Sequence, residues 1–166
     1  MNGNLEGRIT LRPARGDDEA FLYAVYSSTR AAEMALLGWD GAQQHDFLAM
    51  QFTAQHRYYH STYANADYLI VECDGRPAGR LYLDRAADHM LVIDVALLPE
   101  YRGVGIGTYL MADLLAEARR SRRPVRLHVE PGNPARRLYE RLGFRVVAEH
   151  GFYWLMECAP SSEATT

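Results

Sequence analysis

Residues 90–108 read MLVIDVALLPEYRGVGIGT, and most of the fold follows from that stretch. Met90 to Leu98 is almost continuously apolar, and Pro99 ends the run. Such a run suits a central strand covered on both faces. Arg102-Gly103-Val104-Gly105-Ile106-Gly107 then makes a glycine-rich turn, and Thr108 to Arg120 carries Leu110, Met111, Leu114 and Leu115 at helical spacing. Glycines at these positions let the backbone turn tightly and come close to a ligand. The free N–H groups opening the next helix, together with its dipole, make a seat for a phosphate. The alternative is a tight strand-to-helix turn with no ligand.

Working outward, Arg8 to Arg12 alternates and predicts a first strand. Asp17-Asp18-Glu19 offers capping and first-turn acids for a helix through about Ser28, with Phe21, Leu22, Val25 and Tyr26 on its buried face. Asp40 caps a longer helix to about Tyr59, with Phe47, Leu48, Gln51 and Phe52 along one side. Tyr68–Cys73 and Pro77–Leu83 flank Asp74-Gly75 as a hairpin. Downstream come a strand at Val125–Glu130 and a short helix at Pro134–Leu142 ended by Gly143. Strands at Phe144–Ala148 and Phe152–Cys158 follow, separated at Gly151. The sum is an α/β fold of about seven strands and about four helices. No repeat or long linker divides it, so one domain is expected over residues 1–166, with a core of about 8–158 and a disordered tail at 159–166.

Composition narrows the class. The chain has 166 residues and is 48% hydrophobic, too apolar for a disordered protein. No apolar run approaches the ~18 residues of a membrane span. Met1 to Glu6 lacks the apolar core of a signal peptide. Cys73 and Cys158 fit neither a metal-ligand spacing nor a disulfide framework, so no metal and a reduced, cytoplasmic setting are expected. The net charge of -3 hides an asymmetry: residues 102–145 hold ten arginines against four acids, whereas residues 1–101 hold eight against fourteen. A basic later part suggests that it meets an anion. The chain has no lysine, and although codon bias accounts for that, guanidinium groups also fork well onto phosphate. The negative total and the lack of a basic-aromatic motif argue against nucleic acid.

Two phosphate-binding folds drop out. A P-loop needs Gly-Lys-Ser/Thr, and there is no lysine. A dinucleotide fingerprint needs G-x-G-x-x-G near the first strand, whereas these glycines run G-x-G-x-G after roughly 100 residues. The arrangement instead resembles the GCN5-related N-acetyltransferase (GNAT) superfamily. Its Arg/Gln-x-x-Gly-x-Gly/Ala signature is matched by Arg102, Gly105 and Gly107, and a second hallmark lies in Asn133-Pro134-Ala135-Arg136-Arg137-Leu138-Tyr139-Glu140-Arg141-Leu142-Gly143-Phe144. The resemblance spans roughly residues 8–158 and is most specific from 90 to 145. One departure is local: the family's Asn-x-x-Ala spacing falls on Gly132, with Asn133 one residue later. Asn133 reads equally well as the cap of the helix that Pro134 opens.

The resemblance implies a GNAT fold whose fourth and fifth strands splay, with acetyl-CoA as co-substrate. It assigns the CoA pyrophosphate to the amides of Arg102, Gly103, Val104, Gly105, Ile106, Gly107 and Thr108, and pantetheine pairing to the backbone of Val95, Ala96 and Leu97. Asn133 and Arg137 join the cofactor site, with Arg137 and Arg141 as the candidates for the 3′-phosphate. Tyr139 stands where many members place the acid that protonates the departing thiolate; its alternative is a core tyrosine bonded to a backbone group. The implied reaction is direct transfer to a primary amine, so Cys73 and Cys158 read as packing residues.

The base is not assigned. Some members carry a glutamate eleven residues before the signature Arg/Gln, where Leu91 stands here. Glu72 and Asp94 are the candidates carried forward, with His89 and Glu33 behind them and a water chain as the alternative. Asp94 has the opposite parity to Leu91, Ile93 and Val95 along the strand. His128, alternating with Leu127 and Val129, reads as structural. The acceptor site is expected from the first two helices and the last hairpin, with Arg30, Glu33, Trp39 and Tyr153 as its residues, although Arg30 and Glu33 also fit a surface ion pair. The acceptor is a small-molecule or protein amine, with no nucleic acid or membrane partner. Dimers among relatives leave a homodimer open. Rival readings are a non-catalytic CoA-binding module, a longer acyl-CoA donor, and a nucleotide-binding protein.

Overall fold

The computed structural model describes residues 4–160. Seven strands form one sheet: β1 (Ile9–Pro13), β2 (Asp67–Cys73), β3 (Arg76–Arg85), β4 (Met90–Leu97), β5 (Val125–Val129), β6 (Arg145–His150) and β7 (Tyr153–Cys158). Four α-helices join them: α1 (Glu19–Ala35), α2 (Gly41–Thr62), α3 (Ile106–Ser121) and α4 (Arg136–Arg141). The spatial order is β1-β2-β3-β4-β5-β7-β6, antiparallel except where α3 carries the chain from β4 to a parallel β5. The expected α/β count holds. The expected tail lies, from residue 161 onward, outside the described residues.

Several boundaries move for local reasons. The first helix continues past Ser28 to Ala35, with Met34 buried near its end, and the hydroxyls of Ser28 and Thr29 are satisfied within it by donating to the Val25 and Tyr26 carbonyls, at 2.7 and 2.6 Å. Asp40 caps α2 as expected, accepting from the Gln43 N–H at 2.8 Å while the Gln43 side chain accepts from the Asp40 N–H at 3.1 Å. The last helix starts at Arg136 rather than Pro134, since the Asn133 side chain accepts from the Ala135 N–H at 2.9 Å and holds residues 134–135 in a turn.

Each face of the sheet has its own core. Beneath α3, Val71, Leu81, Leu83, Val92, Leu127 and Met156 pack with Ile106, Leu110, Met111, Leu114 and Leu115. Beneath α1 and α2, Leu22, Tyr26, Leu48, Phe52, Ile70 and Tyr82 form a smaller, more aromatic cluster. A fully buried Leu or Phe side chain contributes about 1.5–3 kcal/mol by leaving water, so these clusters fix where the sheet sits between its helices. Among the described residues no helix is long and apolar enough to cross a membrane.

Candidate active site

Strands β4 and β5 pair at only three positions, Met90–Val92 against Val125–Leu127, and then separate. The burial of β4 records the split: its first three residues are buried, and every residue from Ile93 to Leu97 is half-buried. On its other edge β3 stays paired as far as Gly79 opposite Leu97. The approach there is close. A Cβ on Gly79 would sit 2.2 Å from the Ala96 carbonyl oxygen, so only glycine fits. One side of Val95, Ala96 and Leu97 is thus held firmly while the other faces a gap.

A bulge changes which way β4 points. Tyr82 faces Asp94 and Leu83 faces Val92, which leaves Ile93 as the extra residue. Val92, Val95 and Leu97 face α3, whereas Ile93 joins the α1–α2 core and Asp94 meets Arg80 on that same side. The strict alternation read from sequence therefore fails at this point, and Asp94 reaches the cleft beside Ile93 rather than opposite to it.

Past β4, Gly103 and Gly105 adopt left-handed φ values of 72° and 92°. The first helical bond of α3 runs from the Tyr109 N–H to the Gly105 carbonyl at 2.9 Å. The amides of Ile106, Gly107 and Thr108 are thereby left for a ligand, as at any helix N-terminus. Val104 and Thr108 are exposed around them. The Arg102 side chain turns away from this loop. Its Nε donates to the Leu97 carbonyl at 2.9 Å and an Nη donates to Ser28 Oγ at 3.0 Å, tying the loop to β4 and α1.

An open cleft of about 1080 Å³ runs along the gap. Arg30, Glu33, Asp94, Val95, Ala96, Asn133 and Tyr153 line it, together with Tyr26, Tyr58, Tyr59, Tyr63, Gln55 and Arg80. Arg30 and Glu33 also make their own pair at 3.3 Å. Other sequence candidates are not among its lining residues: Leu97 and the 102–108 loop lie past its end, Tyr139 is buried on α4, and Glu72, Trp39 and Arg137 lie elsewhere. Glu72 accepts from Arg12 Nε at 3.2 Å between β1 and β2, Trp39 packs edge-on against Phe47 at 5.3 Å, and Arg137 is exposed on α4.

Tyr139 is buried on α4, edge-on to Phe144 at 5.8 Å. Its hydroxyl makes no protein hydrogen bond among the described residues, so the backbone-bonded core tyrosine is not what is found. Burial, followed by the charge of Asp94, pushes its pKa up and keeps the phenol protonated. Burial likewise pushes Tyr59 well above the usual phenol range.

Sequence reasoning missed Arg80, Gln55 and His128. Arg80 is 3% exposed, donates to Asp94 and to Gln55 Oε1 at 3.0 Å, and lies over the Tyr82 ring at 4.9 Å. A lone arginine within the apolar Ala78–Leu83 run was the signal, legible only once β3 and β4 are known to pair. His128 is exposed on the cleft side of β5, not packed away as a structural histidine.

The fold is shared with solved acetyltransferases. The PaiA N-acetyltransferase of Thermoplasma acidophilum, solved in complex with coenzyme A, matches with a TM-score of 0.69 at 18% identity, over 91% of this chain and 98% of that one. The ribosomal-protein-S18-alanine N-acetyltransferase of Escherichia coli matches with a TM-score of 0.63 at 18% identity, over 95% and 97%. At the sequence level, a Bacillus subtilis protein with the provisional name ribosomal protein bS18 alanine N-acetyltransferase is 32% identical over 92 residues, 53% of this chain. The chain spans 61% of the length of that relative. The sequence model of the Acetyltransferase (GNAT) family matches residues 33–144, more than half of the chain, and the protein belongs to that family.

Proposed function

We propose that the protein is an N-acetyltransferase that moves an acetyl group from acetyl-CoA directly to a primary amine of a small molecule or a protein. The observation that carries this is the half-free edge of β4, which leads through one short 3-10 turn at Pro99–Tyr101 into the glycine turn and the open amides of α3. A pantetheine arm is an amide chain that a strand edge can pair with, and a pyrophosphate suits a helix N-terminus. Acetyl-CoA, when bound, supplies an activated acetyl thioester whose sulfur departs as a thiolate. Gly103 to Thr108 hold the phosphates, and Val95 to Leu97 offer backbone groups to the arm. Tyr139, kept protonated by burial, gives a proton to the departing sulfur. Asp94, paired with Arg80, is the fixed negative charge that attracts the ammonium form of the acceptor.

The cleft is open enough for a chain terminus as well as a small amine, and the relative named for ribosomal protein alanine supports a protein N-terminus as one acceptor class. Cys73 and Cys158 are both free, in keeping with a cytoplasmic setting. The test is calorimetric titration with acetyl-CoA, alongside a Gly105→Trp variant. Micromolar binding that disappears in the variant, with thiol release when amines are added, supports the reading. No binding to the unaltered protein overturns it.

A further inference from the structure

The reaction needs a group that takes the proton from the attacking amine, and none of the four sequence candidates suits it: Glu33 is paired with Arg30, and His89 sits beside Asp88 away from the cleft. Glu72 is engaged with Arg12 away from the cleft. The Asp94 carboxylate is already engaged by the buried Arg80 guanidinium, which also donates to Gln55.

The split between β4 and β5 points to a different residue. The last paired position is Val92 opposite Leu127. Continuing that parallel register sets His128 opposite Ile93, the bulged residue beside Asp94. Val125, Leu127 and Val129 face the α3 core, so His128 turns to the other face, the one Asp94 and Arg80 occupy. Both His128 and Asp94 line the same cleft. His128 therefore stands at the first point where the strands leave room for a substrate.

We propose that His128 is the catalytic residue that accepts the proton of the acceptor amine, a role that rests on the acetyl-transfer reading above. The acceptor loses one proton of its ammonium form to solvent and attacks as the neutral amine; its nitrogen forms a bond to the acetyl carbon and gives a second proton to the neutral imidazole. The carbon–sulfur bond breaks, its electron pair goes to sulfur, and Tyr139 supplies the proton that makes the free thiol.

The surroundings keep the imidazole neutral. Partial burial and the neighbouring His150 on β6 push its pKa below the ordinary value. The other charged groups lining the cleft are Asp94 and Arg80 as one pair, Arg30 and Glu33 as another, and Glu130 just after β5, while α2 presents tyrosines and Gln55. Two of the three carboxylates there are thus paired with arginines. A histidine with a lowered pKa is neutral, and so able to accept a proton, at pH 7 and somewhat below it.

The experiment uses the full chain with His128→Gln and His128→Ala, reading acetyl-CoA affinity by calorimetry and thiol release with 2-phenylethylamine and with a peptide beginning in alanine. The expected result is unchanged acetyl-CoA affinity and a roughly 100-fold fall in kcat. The limb of the pH–rate profile below about pH 6.5 should be lost, and added imidazole should rescue His128→Ala. An NMR titration should show the His128 ring proton in its neutral position at pH 7. An unchanged acid limb, or a protonated ring at pH 7, overturns the proposal. Failure of the unaltered protein to bind acetyl-CoA would instead strike the acetyl-transfer reading and leave a separate signature.

Discussion

The two faces of the sheet are built from different materials, and Gly79 and Arg80 show the contrast in adjacent residues. Gly79 belongs to the α3 side, where the backbone does the work: a close strand pair, two left-handed glycines and the bare amides of a helix start. Arg80 belongs to the α1–α2 side, where side chains do it: a buried guanidinium, a carboxylate, tyrosines and a histidine. Backbone recognition suits a donor whose phosphates and amide arm are constant. Side-chain recognition suits an acceptor, because side chains can be exchanged without disturbing the strands that carry them. One sheet thereby pairs a fixed half with an adjustable one.

The sharpest way to break this contrast is Gly79→Val. The added Cβ would meet the Ala96 carbonyl oxygen at 2.2 Å and the Leu97 Cα at 2.9 Å, both backbone atoms that cannot swing aside. A loss of about 4 kcal/mol in urea denaturation is expected, above the common range for overpacking because the obstruction is main chain. A loss below about 1 kcal/mol would mean that β3 and β4 can part at little cost.

Asp94→Asn tests the other face. It leaves the Arg80 guanidinium buried with Gln55 alone, at a cost of about 3 kcal/mol in the same measurement. Unchanged stability would show that the pair is solvated and not part of the fold's support.

Asp18, at the start of α1, offers a smaller, pH-dependent effect. Its carboxylate accepts from two Arg12 nitrogens at 2.8 Å and from the Arg15 N–H at 2.7 Å, and the Arg12 bonds, against burial, hold its pKa at about 2. A pKa below its unfolded value means that the stabilisation is present above about pH 4 and is lost as pH falls toward 2. Asp18→Asn should remove about 1–2 kcal/mol at pH 7 and flatten the stability curve between those limits. An unaltered acid limb would contradict the ion pair. Glu33→Ala comes last: its pair with Arg30 is exposed, so stability should change by less than about 0.5 kcal/mol in thermal melts.

Much of the α3 side was legible beforehand. An apolar run, Pro99, three glycines and a helical repeat are local signals, and they place the start of α3 within two residues of where it lies. The acceptor side was read unevenly. Arg30, Glu33 and Tyr153 do line the cleft, whereas Trp39 packs on Phe47 beside it. Asp94 stands out in the sequence as a charge in a strand, yet the bulge that turns it into the cleft depends on the register against β3. For His128, alternation reveals that the residue leaves one face but says nothing of what covers the other.

What the sequence determined by itself is the order and kind of the elements, the glycine turn and the family, since these follow from periodicity and from residues a few positions apart. The tertiary structure decided the insertion of β7 between β5 and β6, the three-residue pairing of β4 with β5, and the lining of one cleft by Asp94, Arg80 and His128. Those features join residues tens of positions apart, and they arise only when strands choose partners and burial selects the register.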